Sequence, residues 1–325
     1  MSEYKITQSG AFSDGRYASD QPGVQPPYWN RRPAPFYMLI IYVGIGFILA
    51  AILQLLVLAP FVDFNLTRMG DVMTVPDEFP NARIAILLAQ GVSALCIFVL
   101  APLAYLRWQE RQPLRALSPG PLLPVGVLLA FAVTLIALPA NAFFIEWNQN
   151  VELPSWLTPV QTWAREKEDS LAELTEYITN FEGAGQFLLA LLVIAVIPAF
   201  GEELLFRGLL QNRLTRALRN PHVAIWLTAF VFSFFHFQFF GLIPRMLLGA
   251  LLGYLYYWSG NLWMSVAAHF CNNGFTLLML YLYQQDAIGV NLESPEGTPL
   301  HYSLLAGVGV AAMLFLFRRQ FRPAA

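Results

Sequence analysis

Charge is scarce in this chain. Asp, Glu, Lys and Arg make up only 12% of its 325 residues, against about 25% in ordinary soluble domains. Cysteine is almost missing: Cys96 and Cys271 lie in different apolar stretches, which excludes a disulfide framework and leaves both as small apolar side chains. No basic excess exists either. The net charge is −2 and the isoelectric point about 6.1, so no field of the kind that draws nucleic acid is present. HExxH, GxSxG, a Walker phosphate loop and CxxC are all lacking, which removes the usual short motifs of zinc peptidases, serine hydrolases, nucleotide triphosphatases and thiol redox proteins. No internal repeat is visible. The apolar runs also lack the alternation of a membrane β-barrel strand.

What the chain has is apolar length. It is 57% hydrophobic, with 26 phenylalanines and a mean hydropathy of +0.52. A bilayer span needs roughly 20 apolar residues, because a helix rises about 1.5 Å per residue through about 30 Å of hydrocarbon. Runs without Lys, Arg, Asp or Glu fall at 36–62, 84–106, 122–145, 183–201, 221–244 and 300–317. A further run, 246–285, is too long for one span and divides at the turn signal Ser259-Gly260-Asn261. The expectation is an all-α polytopic membrane protein of about eight transmembrane helices with a four-helix core, since helices satisfy their backbone within lipid. The chain divides into a polar tail at 1–35, a three-helix region at 36–145, an acidic loop at 146–182, a core at 183–285, and a last helix with its tail at 286–325. The tail has no signal-peptide pattern, so the first span is expected to remain as an anchor.

Lys and Arg set the orientation. Lys5, Arg16, Arg31 and Arg32 precede the first span. Arg107, Arg111 and Arg115 follow the second, Arg207, Arg213, Arg216 and Arg219 follow the fourth, and Arg318, Arg319 and Arg322 follow the eighth. Eight spans with both termini in the cytoplasm put all four groups inside, in a cell (cytoplasmic) membrane. The other face receives Arg68, Arg83, Arg165, Lys167 and Arg245. In the acidic loop, Trp163, Leu171, Leu174, Ile178 and Phe181 recur at helical spacing. They predict an amphipathic helix on the outer membrane surface, with substrate gating as the alternative.

Ionisable groups within spans are costly and mark function by default. From 183 to 285 the only acids are Glu202 and Glu203. Glu203 and Arg207 stand four apart on a helix and can pair structurally. Glu202 points about 100° away and has no such partner, so it is a candidate for chemistry. His236 ends the run Phe232-Ser233-Phe234-Phe235-His236. In a helical hairpin turning near Asn220, Glu202 and His236 reach a similar depth, ~24–27 Å from the tip. Pro198 and Gly201 can kink the preceding helix toward a cavity. His269 and Asn273 share a helical face, and both can donate hydrogen bonds. His222 and His301 read as surface residues. Two histidines and a carboxylate, Glu202, His236 and His269, also suit Zn²⁺ with an open position. The residues leave a metal-free and a zinc-bound site as alternatives.

Taken together, Glu202-Glu203…Arg207, Phe232…His236 and His269…Asn273 resemble the EExxxR, FxxxH and HxxxN motifs of the type II CAAX prenyl protease family, whose bacterial relatives are called CPBP or Abi proteins. Gly249/Gly253 and the turn Ser259-Gly260-Asn261-Leu262-Trp263 are also similar to that family. The resemblance covers about residues 183–285. It implies an intramembrane endopeptidase, often labelled a metalloprotease, acting on membrane-associated proteins or peptides. By the same resemblance, Glu202 and His236 activate a water, and His269 and Asn273 form an oxyanion hole. Glu203, Arg207 and Phe232 support them. Two other classes stay open. One is a non-enzymatic immunity or scaffold protein of the same fold. The other is a proton-coupled transporter, although repeats and matching broken helices are not seen.

The arginine distribution carries a testable expectation. Reporter fusions after Val62, Leu117, Glu168 and Gly297 should read outside, inside, outside and outside. A cytoplasmic signal at Glu168 overturns this orientation.

Overall fold

The structure, a computed structural model, describes residues 35–289 and 299–321. The expected tail at 1–35, apart from Pro35, and residues 290–298 and 322–325 lie outside the described residues. So does Gly297, one of the reporter positions. Among the described residues every principal element is a helix and there is no strand.

The helices are α1 (Phe36–Val62), α2 (Ala82–Gln109), α3 (Pro124–Gln149), α4 (Thr158–Thr179), α5 (Ala184–Leu218), α6 (Pro221–Phe234), α7 (Phe239–Ser259), α8 (Leu262–Gln284) and α9 (Leu300–Gln320). All eight apolar runs are therefore helical. Six of these helices, α1, α2, α3, α5, α7 and α9, are long and apolar enough to cross a membrane, against the eight expected. The other two belong to the core. Helix α6 has only 14 residues, about 21 Å. Helix α8 has 23, but Ser265, His269, Asn272 and Asn273 dilute its apolar content. It buries Met264, Ser265, Ala268, His269 and Cys271 against protein. A helix enclosed by other helices does not need the composition of one that meets lipid. The outer helices show the converse. Ile40, Ile48, Leu56, Leu304, Leu305 and Val308 are all exposed, as a lipid-facing surface requires.

The run expected as one span at 221–244 is broken. Helix α6 ends at Phe234, and Phe237 adopts a left-handed conformation, φ 53°. Helix α7 then restarts with Pro244 in its first turns. The fourth run does the opposite and continues far beyond 201, so that α5 carries Arg207 and Arg213 inside the helix. Arg207 is completely buried within the helix bundle.

Helix α1 packs on α2, and α9 on α3. A core of Ala130, Val133, Leu252, Leu255, Met264, Ala268 and Phe317 joins α3 and α9 to α7 and α8. The far end of α5 is fastened to α2: Tyr105 donates to Glu110 Oε1 at 2.8 Å, and Arg213 pairs with that carboxylate and with the Tyr105 hydroxyl. The turn between α7 and α8, where Gly260 takes φ 62°, is clasped by the segment 118–120. The Gly120 amide donates to Gly260 O at 2.9 Å, and Asn261 Nδ2 donates to Gly120 O at 2.8 Å.

Helix α4 is amphipathic, as its spacing indicates, and it is docked on the bundle. Ile178 and Phe181 are buried in a core shared with α1, α2, α5 and α8. Arg83 donates to Tyr177 O at 3.0 Å, and Gln284 donates to Thr179 O at 3.0 Å. Its earlier half meets the start of α7. Glu168 Oε2 accepts from the Phe240 amide at 2.9 Å, Trp163 lies against Phe239 with ring centroids 5.5 Å apart, and the Arg165 guanidinium covers the Phe240 ring.

Helices α5, α6 and α7 approach closely at Gly253. A Cβ there would stand 2.8 Å from Ile225 Cγ2 and 2.9 Å from Gln211 Oε1, while Gln211 Nε2 donates to Gly253 O at 3.1 Å. Gly253→Val should therefore lower stability by about 1–3 kcal/mol, the usual cost of overpacking. Thermal unfolding in detergent measures this, and an unchanged midpoint would show that the helices can part at no cost.

Candidate active site

The site forms where α5, α6 and α8 converge beside the break between α6 and α7. Its position starts from the backbone of α5. Residues Leu191–Val196 and Leu204–Gln211 are wound as π-helix, a widening that frequently accompanies functional sites. Between these stretches stand Pro198, Gly201, Glu202 and Glu203. In regular α-helix, the N–H of residue 198 would bond the carbonyl of Ile194, but proline has no N–H. Asn273 Nδ2 on α8 donates to that Ile194 carbonyl at 3.0 Å. Asn272 Nδ2 donates to Asn273 Oδ1 at 3.0 Å, which fixes the way the amide faces. Gly201 lets α5 lie against α2, since a Cβ there would be 2.8 Å from Phe98 Cβ.

Glu203 is the hub. Its Oε1 accepts from Arg207 Nη1 at 2.7 Å and from His269 Nδ1 at 2.9 Å. Glu203 and Arg207 have no exposed side-chain surface and His269 has almost none. Arg207 Nη2 donates to Gly249 O on α7 at 2.9 Å. The guanidinium also lies over the Phe232 ring, 4.6 Å from its centroid, a stacked arrangement that attracts a cation. One carboxylate and one guanidinium thus tie α5, α6, α7 and α8 together.

Because a carboxylate oxygen accepts, His269 Nδ1 carries a proton, and its Nε2 faces away from Glu203. That nitrogen stands 3.9 Å from Glu202 Oε2. Glu202 is nearly buried, and its Oε2 has no hydrogen-bond partner. A buried acceptor left unpaired costs about 1–3 kcal/mol or more, and such an exception needs a reason. His236 lies in the turn after α6, not on the helix. Its Nδ1 pairs with Phe232 O at 2.9 Å. A carbonyl only accepts, so Nδ1 is the donor and Nε2 is left as the free ring nitrogen. The Phe232 ring contacts both histidines edge-on, at 5.0 Å from His236 and 6.0 Å from His269.

The sequence-derived residues therefore fall into one neighbourhood with definite pairings. Glu202 stands next to His269. It makes no direct hydrogen bond or ion pair with His236. Asn273 is on the same helix as His269 and spends one amide hydrogen on Ile194. The trio Glu202, His236 and His269 does not form a metal grouping, since among the described residues no three His, Cys, Asp or Glu side chains are gathered so as to hold a metal ion. His269 Nδ1 and His236 Nδ1 are also engaged elsewhere. His222 and His301 are exposed, and His222 Nδ1 pairs with the Tyr254 hydroxyl at 3.0 Å.

Sequence reasoning missed three contributors. The bond from His269 to Glu203 joins residues 66 positions apart and has no local signature. The Ile194 carbonyl was readable in principle from Pro198, but its donor on α8 was not. Arg245 was read only as an outward charge. It is the one Lys or Arg between Arg219 and Arg318, and that isolation was its signal. Its guanidinium acts electrostatically on both Glu202 and His236.

Arg207→Ala should chiefly destabilise the protein. It leaves the buried Glu203 with only His269, and breaking a buried pair from one side typically costs about 3–5 kcal/mol. A large fall in the detergent melting temperature is expected, and an unchanged value would deny the pair its structural weight.

Residues 184–275 match the family model described as type II CAAX prenyl endopeptidase, Rce1-like. A Bacillus subtilis (strain 168) protein described as uncharacterized protein YpbD is 32% identical over 84 residues, which make up 25% of this chain. The chain spans 40% of the length of that relative. No solved structure matches the chain. The matched segment contains Glu202, Glu203, Arg207, Phe232, His236, His269 and Asn273, so it is over this part of the chain, about residues 184–275, that the protein is similar to type II CAAX prenyl endopeptidases of the Rce1-like kind.

Proposed function

We propose that the protein is a multi-pass endopeptidase of the cell membrane, with both termini cytoplasmic, that hydrolyses a peptide bond in membrane-associated proteins or peptides. The observation that carries this reading is that Glu202, nearly buried, makes no hydrogen bond through its carboxylate, with Oε2 facing His269 Nε2 at 3.9 Å, whereas Glu203 and Glu110, which also have an unpaired Oε2, each hold an arginine through Oε1. A scaffold gains nothing from a carboxylate without a hydrogen bond in an apolar bundle, whereas a general base has to present a free lone pair to its water.

In this mechanism a water hydrogen-bonds to Glu202 and to the free Nε2 of His236. Glu202 takes one proton as the water oxygen attacks the scissile carbonyl carbon, and the carbonyl electron pair moves onto its oxygen. The second amide hydrogen of Asn273 and an Nε2–H of His269 meet that oxyanion. Glu203 holds the His269 ring by its Nδ1, which turns Nε2 toward Glu202 and the place of the oxyanion. The tetrahedral intermediate then collapses. The C–N bond breaks, Glu202 returns its proton to the leaving nitrogen, and a carboxylic acid and an amine result. Donors fixed in advance at a developing oxyanion are each worth ~10²–10³ in rate. No step is routed through zinc, because the three side chains that would hold it are not gathered as ligands.

The test uses purified protein in detergent with two peptides, a prenylated CAAX peptide and an apolar unprenylated peptide. Wild type should cleave at least one of them. Glu202→Gln keeps the size and hydrogen bonding of the side chain but not its basicity, so turnover should fall ~10²–10⁴-fold while the melting temperature stays within a degree or two. Near wild-type turnover in folded Glu202→Gln would remove Glu202 as the base.

A further inference from the structure

We infer that Arg245 is a substrate-binding residue of this site and that it takes a carboxylate carried by the peptide close to the scissile bond. The inference rests on the peptidase reading and names the chemistry of its substrate.

The argument is one of unmet charge. The two buried arginines of the core have carboxylates at contact distance, Glu203 for Arg207 and Glu110 for Arg213, while Arg245 is partly buried. Arg245 has no ion pair among the described residues. Its Nη2 donates to the neutral Gln238 Oε1, and its Nη1, though buried, has no partner at all. A guanidinium nitrogen kept from water without an acceptor is costly, and five donors in a rigid fork are shaped for one carboxylate.

Position gives that vacancy its meaning. Arg245 lies in the early turns of α7, just past the break that carries His236. Its charge acts on Glu202, His236 and Glu168 of α4. Glu168 makes no ion pair with Arg245; its Oε2 is turned to the Phe240 amide. Gln238, two residues after His236, holds Nη2 of the guanidinium, so the group sits at the break itself with its buried Nη1 unbonded. A peptide laid across Glu202 with a negative group a short distance along its chain would supply the missing acceptor. Two sources have this chemistry, the terminal carboxylate of the chain and an Asp or Glu side chain. The structural alternative is that Arg245 only steadies the turn through Gln238 and offsets the charge of Glu202. That alternative predicts no preference among peptides by charge.

The experiment measures binding by fluorescence anisotropy with three labelled forms of the prenylated CAAX peptide: free acid, C-terminal amide, and amide with Asp as the last residue. Binding is read in Glu202→Gln protein, so that it does not depend on turnover. The free acid, or both the free acid and the Asp amide, should bind about 10- to 100-fold more tightly than the plain amide, as expected for a hydrogen bond to a charged group. Preference for the free acid alone assigns the chain terminus, and equal preference for the Asp amide admits a side chain. Adding Arg245→Gln should abolish the difference, and Arg245→Lys, which keeps the charge without the fork, should restore part of it. Equal binding of all three peptides to Glu202→Gln protein, or no binding of any, overturns the inference. So does a loss in Arg245→Gln that falls alike on every peptide. The peptidase reading fails separately: if wild type cleaves none of these peptides while the Arg245-dependent preference persists, Arg245 keeps its role and the hydrolytic reading is lost.

Discussion

Glu203 is the constraint on which the rest of the core depends. In an apolar bundle its charge has to be met from several sides, and Arg207 and His269 both bond to one of its oxygens. Arg207 in turn has to satisfy its own donors, and it does so on the Gly249 carbonyl and the Phe232 ring. These requirements fix where α6, α7 and α8 stand relative to α5. They also fix the direction of His269, whose second nitrogen is thereby aimed at Glu202. A network that is fully buried carries its full penalty when a member is lost, so the architecture and the chemistry of the site rest on the same few bonds.

The backbone of α5 shows how a local defect becomes a site. Pro198 deprives the helix of a donor, and the π-wound stretches on either side widen its turns. The carbonyl released at Ile194 is taken up by Asn273. A residue read from its motif as a donor to substrate therefore also has a fixed place in the packing. The amide has two hydrogens, and only one is spent. Helix α4 is a comparable case. Its amphipathic spacing is that of a helix lying on a surface, and the surface it uses is the bundle itself, at the ends of α2, α7 and α8.

The three motifs were legible because cost made them conspicuous. In a chain with so few charged residues, Glu202, Glu203, His236 and His269 stand out against apolar sequence, and their spacing fixes which of them share a helical face. The count of spans was less legible. Hydropathy measures what lipid requires of a helix; α8 is surrounded largely by protein and so can be polar, while α6 exposes Val223, Trp226, Leu227 and Phe230 but stops after 14 residues. The break at Phe235–Gln238 was hidden for a related reason: Phe237 adopts its left-handed turn within a run of aromatics that carries no glycine until Gly241 and no proline until Pro244.

The sequence by itself determined the class of the molecule, an all-helical membrane protein, and singled out the candidate residues for its chemistry, because both follow from composition and from periodicity along one helix. The tertiary structure alone decided who pairs with whom. His269 chooses Glu203 over Glu202, Asn273 turns one hydrogen to a carbonyl on another helix, and Arg245 is left without an anion. Each outcome depends on the relative placement of helices whose contacting residues are many positions apart in the chain. Helical periodicity states which way a side chain leaves its own axis, and only the packing of several axes states what it meets.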